Sequence, residues 1–104
     1  LKVGFNSSPH LHTPRQRIRV GGDAISEDEF AQAIGDVVRV EQVQGLGPYT
    51  WFETITSAAL LHFANEAVDV AIVEVGMLGR YDATNVVRAD VAVITNVGLD
   101  HTDG

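Results

Sequence analysis

Two runs do most to limit what this chain can become, VDVAIVEV at 68–75 and ADVAVITNV at 89–97. Both are nearly continuous in apolar residues and rich in β-branched side chains. A half-exposed strand alternates apolar with polar residues at a period of two, and neither run does. Strands buried on both faces, in a parallel sheet covered by helices, carry this pattern. The first run also ends abruptly. Glu74 follows the core residues with no polar transition, and Gly76, Gly79, Arg80, Asp82 and Asn85 come in quick succession. Open parallel sheets bind ligands outside the carboxyl ends of their strands, so this junction is a candidate site.

The rest of the chain supplies the layers such a sheet needs. Lys2 to Asn6 (KVGFN) is apolar enough for a strand, and SSPHLHTPRQ is a loop, because Pro9 and Pro14 push the residues before them out of the helical region. RIRV at 17–20 has the alternation of a half-exposed strand, and Gly21-Gly22-Asp23 turns the chain. Ser26 and Glu29 form a capping box ahead of Phe30, Ala33, Ile34, Val37 and Val38, which predicts a helix over 27–38. Thr50 and Glu53 form a second box, opening a helix from Trp51 to about Glu66. Trp51, Phe52, Ile55, Ala58, Ala59, Leu61 and Phe63 cover most of that helix, so it is expected to be buried on more than one side. Strand, helices, strand, loop, strand is an α/β order, with a doubly wound parallel sheet the expected architecture.

Composition removes several functions. Seven basic residues stand against 14 acidic ones, a formal net charge of -7, so no basic surface for nucleic acid can be assembled. With no cysteine there is no disulfide, redox motif or thiolate zinc site. No apolar run reaches the ~20 residues of a membrane-spanning helix, and no signal peptide opens the chain, so a cytoplasmic protein is expected. The ends, LKVGF and GLDHTDG, read as cuts through a longer polypeptide.

Polar residues collect at the strand ends: Ser7 and Ser8 after the first, Glu74 after the second, Asp100 and His101 after the third. If the last two strands are neighbours, Glu74 and His101 face one cleft. A carboxylate, a hydroxyl and an imidazole suit a hard divalent cation that keeps several waters and also binds phosphate. A solvated rim or a salt-bridge partner is the commoner role for a strand-end glutamate, and a surface position for a lone histidine after a strand. Arg15, Arg17 and Arg19 either grip an anion or form a solvent-facing row. His62 packs or points to solvent, and Asp23, Glu27, Asp28 and Glu29 read as a solvated helix start.

Taken together, SSPHL (7–11) with RIRV (17–20), TWFE (50–53), EVGMLGRYDATNV (74–86) and VGLDHTD (97–103) resemble the folylpolyglutamate synthase and dihydrofolate synthase family of the Mur ligase superfamily. The resemblance spans essentially the whole chain in the family's order. It implies a P-loop ATPase domain of Mur ligase type, present here in part. The P-loop would precede Leu1. A lysine that the family carbamylates to bridge metals, and the C-terminal glutamate-binding domain, would follow Gly104. On this reading residues 1–104 alone do not turn over ATP.

The implied reaction is ATP-dependent formation of a C–N bond, in which L-glutamate joins dihydropteroate or a folate through an acyl phosphate. ATP is co-substrate and Mg2+ the metal. The resemblance assigns metal ligation to Ser8, Glu74 and His101, with Glu74 and His101 serving catalysis. It places Thr50, Phe52, Asp82 and Ala83 around the pterin. The partners implied are these small molecules, with no nucleic acid and no membrane, in an enzyme expected to be monomeric, whereas an open sheet edge in the fragment invites association. Other readings are a Mur-type ligase for a different acid, or a non-catalytic remnant of the fold. The chain departs from the family's pattern at Leu78, where glycine is usual, and at Gln16, where glutamate is.

Overall fold

The structure, a computed structural model, describes residues 1–10, 12–45, 48–74 and 90–93. Strand β1 (Val3–Asn6) is followed by a 3-10 turn over Pro14–Arg17, then β2 (Ile18–Val20), β3 (Asp23–Ala24), helices α1 (Glu27–Gln44) and α2 (Trp51–Asn65), and β4 (Val70–Val73). The sheet runs β3-β2-β1-β4. β1 and β4 are parallel, with Asn6 opposite Val73, while β2 lies antiparallel to both β1 and β3. The α/β class holds, and the described part of the sheet is mixed: a parallel pair extended by an antiparallel edge.

Both helices begin as the sequence predicts. Ser26 Oγ accepts from the Glu29 amide at 3.1 Å, and Thr50 Oγ1 accepts from the Glu53 amide at 3.1 Å. Helix α1 runs past the expected 38 to Gln44, where Gly45 caps it in the left-handed conformation, φ 67°. The last turns carry no inward stripe, since Val40 and Val43 are exposed, so periodicity holds no sign of them. Helix α2 contacts both α1 and β1, which meets the expectation that it is covered on more than one side. Ile18 and Ile25 from the sheet side, Ala33 and Val37 from α1, and Ala58, Ala59 and Phe63 from α2 form one buried cluster.

Three expectations change. The composition of β4 predicts burial on both faces, yet Val70 and Ile72 are exposed; among the described residues the helix packing centres on β1 and on Ile18 of β2 instead. The segment before β2, expected as loop and strand, instead winds into the 3-10 turn. Thr13 Oγ1 accepts from the Arg15 amide, and Pro14 sits where its missing N–H costs nothing. Of the strand expected over 89–97, residues 90–93 take no regular structure and the remainder lies outside the described residues.

Candidate functional site

The parallel pairing of β1 and β4 decides where the chemistry collects. Because the strands run together and end in register, the residues after Asn6 lie beside Glu74. The Glu74 amide donates to the Asn6 carbonyl at 2.9 Å, extending the ladder by one bond. The Glu74 side chain turns back over the end of β1. Its Oε1 accepts from the Ser8 amide at 3.3 Å and from Ser8 Oγ at 3.4 Å. Glu74 is exposed and Ser8 half-buried, so the pair faces outward at the carboxyl edge of the sheet. Asn6, 5% exposed, backs it from inside. Ser7 is held from the other side, its amide donating to the Arg17 carbonyl at 3.0 Å.

The loop that carries Ser8 also reaches the start of α2. Arg17 Nε donates to His10 Nδ1 at 2.8 Å, and the Arg17 guanidinium lies 4.7 Å from the centroid of the Trp51 ring. His10 and Trp51 have ring centroids 6.0 Å apart. This three-residue stack ties the serine loop to the helix start holding Thr50, exposed, and Phe52, half-buried. A guanidinium over an indole face is attractive, about 0.5–1 kcal/mol where partly exposed. Sequence reasoning missed the stack, because its members come from a loop, a 3-10 turn and a helix whose proximity is purely tertiary.

The three arginines are not one row. Arg15 Nη1 donates to the Ile25 carbonyl at 3.2 Å and its Nη2 lies 3.8 Å from Glu27, whereas Arg19 bonds the carbonyls of Gln16 and Gly22, both at 3.2 Å. Arg15 and Arg17 lie in the 3-10 turn, not on a strand, so alternation along an extended segment does not describe them. Gln16, where the resemblance leads to glutamate, accepts from the His12 amide through Oε1 at 2.9 Å. An amide oxygen fills that acceptor position as a carboxylate would.

Of the residues implicated by sequence, the structure brings Ser8 and Glu74 together and sets Thr50 and Phe52 at the neighbouring helix start. His101, Asp82, Ala83 and Leu78 lie outside the described residues. Oxygen donors at an exposed strand edge, one of them a carboxylate whose Oε2 has no hydrogen bond among the described residues, fit a hard cation that retains water. No helix among the described residues is long and apolar enough to cross a membrane.

Fold and strand-edge geometry define an α/β domain of the class that holds its ligands beyond the carboxyl ends of parallel strands. The sequence profile of the Mur ligase middle domain matches residues 29–104. This chain belongs to that family. It is 45% identical over 102 residues to the dihydrofolate synthase/folylpolyglutamate synthase of Escherichia coli K12, covering 98% of this chain and 24% of that protein. Its fold superposes with a TM-score of 0.88 on E. coli FolC in complex with DHPP and ADP, at 45% identity over 98% of this chain and 24% of that one. The corresponding Yersinia pestis bifunctional enzyme, complexed with AMPPNP and a Mn ion, gives 0.86 at 44% identity, covering 100% of this chain and 25% of that one. The chain thus spans about a quarter of the length of these relatives.

Proposed function

We propose that this chain is part of the ATPase domain of an ATP-dependent ligase that joins L-glutamate to dihydropteroate or a folate, acting in folate biosynthesis in the cytoplasm as a monomer. The observation that carries the reading is the Ser8–Glu74 pair at the shared end of two parallel strands. Hydroxyl, carboxylate and the His101 imidazole would hold Mg2+. Bound there, the ion would neutralise charge that builds on the transferring phosphoryl group and on the substrate carboxylate.

The protein's own residues do the rest. Ser8, through amide and hydroxyl, fixes one Glu74 oxygen and leaves the other without a hydrogen bond among the described residues. The Arg17–Trp51–His10 stack holds the serine loop against α2, keeping the phosphate side and the pterin side of the site in one frame. In the pterin pocket Phe52 would stack on the ring, and the Asp82 carboxylate, beside Ala83 and Thr50, would accept two hydrogen bonds from the amino-pyrimidine edge. A P-loop N-terminal to this segment, with the carbamylated lysine and the glutamate-binding domain C-terminal to it, would complete the enzyme.

The test uses the full-length protein. Glu74→Ala should lower kcat for ATP- and glutamate-dependent ligation of dihydropteroate by roughly 100-fold or more, with the melting temperature held, since the side chain is exposed. Near-normal turnover in a folded variant would remove Glu74 from the reaction and the proposal with it.

A further inference from the structure

The last turn of α2 carries an imidazole in an unusual setting. His62 is 6% exposed, and no hydrogen bond or ion pair joins its ring to another described residue. Because 62 and 66 are four apart, His62 and Glu66 stand on one face of α2. The first turn of α1 packs against that face and contributes Glu29. One ligand atom from each of Glu29, His62 and Glu66 lies within 4.8 Å of the other two.

Neither carboxylate is used up by its neighbours. Glu29 accepts through Oε1 from Ser26 Oγ at 2.9 Å, and Glu66 accepts through Oε2 from Lys2 Nζ at 2.9 Å; the second oxygen of each accepts from no other described donor. Two like charges therefore converge beside the ring of a buried histidine, and the Lys2 ammonium pairs with one of them. An imidazole with two carboxylates is a donor set that favours Zn2+ and its first-row neighbours, while Mg2+ and Ca2+ favour oxygen-rich sets that keep several waters. Tetrahedral Zn2+ at ordinary bond lengths sets its ligand atoms about 3.3 Å apart. The group thus needs to close by about 1.5 Å at most, within reach of side-chain torsions on the two exposed or half-exposed glutamates.

We propose that Glu29, His62 and Glu66 form a divalent transition-metal site of the Zn2+ class, with water in the remaining position, that staples the start of α1 to the end of α2. The ligands lie on the helices, whereas Ser8 and Glu74 lie at the strand ends, so the site is separate from the ligase chemistry and independent of that assignment. Its consequence is a metal-dependent gain in stability rather than a change in the reaction.

The full-length protein, held in excess Mg2+ and ATP analogue so that the proposed Ser8–Glu74–His101 site is filled, is titrated with Co2+ alone. The expected result is one equivalent bound with visible d–d absorption, which Zn2+ then displaces. Glutamine also serves the third position of a capping box, so Glu29→Gln keeps the α1 start and should bind Co2+ roughly tenfold or more weakly. His62→Gln should do the same. Zn2+ should raise the melting temperature of the unaltered protein and leave that of Glu29→Gln unchanged, while ligation by Glu29→Gln stays normal. No visible absorption, or Co2+ affinity in Glu29→Gln equal to that of the unaltered protein, overturns the site. If His62→Gln does not fold, Glu29→Gln decides alone.

Discussion

Gly4 sits in the middle of β1, and a Cβ placed on it would lie 2.7 Å from Cδ1 and 2.8 Å from Cε1 of Phe63. The Phe63 ring rests on bare backbone, which lets α2 approach the sheet at that point. Aromatic rings give little when clamped in a packed core, so Gly4→Ala should destabilise the full-length protein by about 1–3 kcal/mol, an overpacking cost. Urea unfolding measures this, and Gly4→Ala combined with Phe63→Leu should recover part of the loss. An unchanged midpoint in the single variant would show that the ring moves aside freely. A glycine inside a strand signals close approach in the sequence alone, but not what approaches. The same gap explains the arginines: alternation describes residues 15–19 as one row, while the chain bends at Pro14 and sends each guanidinium to a different partner.

At the scale of elements, what local chemistry dictates was legible and what tertiary contact dictates was not. The starts of α1 and α2 were readable because Ser26 and Thr50 satisfy amides three residues on. The end of α1 was not, since its final turns rest on helix propensity and on the Gly45 cap rather than on burial. Thr50 caps α2 and is proposed to contact the pterin, and the two roles can be tested separately. Thr50→Ala removes the acceptor and should cost about 1 kcal/mol of stability, read from thermal unfolding. Thr50→Ser restores the cap and should restore the melting temperature. If both variants melt alike, the hydroxyl is not what holds the start of α2. With the cap restored, any remaining rise in KM for dihydropteroate reports the contact with substrate rather than a frayed helix. The Ser8–Glu74 pair was half-legible: strand ends in a parallel sheet pointed to both residues, but only the register of β1 against β4 puts them in contact.

For the molecule as a whole, the β4 side of the sheet is the feature that burial patterning described differently from the structure. An unbroken run such as VDVAIVEV is composed for enclosure, yet Ile72 is 47% exposed and Val70 42%. β4 also stands at the end of the described strand order, with one edge unpaired by any described residue. A strand with an apolar face and an open edge recruits whatever can pair with it. The 104 residues expressed alone should therefore bind an apolar dye and sediment above the monomer mass. Net charge opposes this only weakly, because -7 spread over the chain is screened within about 8 Å at physiological salt. Association through β4 makes a sharper claim than association in general. Replacing Val70 and Ile72 together by threonine keeps β propensity while removing much of the apolar face. That variant should shift the sedimentation profile toward monomer and lower dye binding severalfold. The same pair introduced into the full-length protein should instead destabilise it, because there the composition of the run predicts a neighbour packed over β4. Equal sedimentation of the two 104-residue chains would move the contact elsewhere. A full-length variant as stable as the unaltered protein would mean that β4 stays uncovered in the full-length protein.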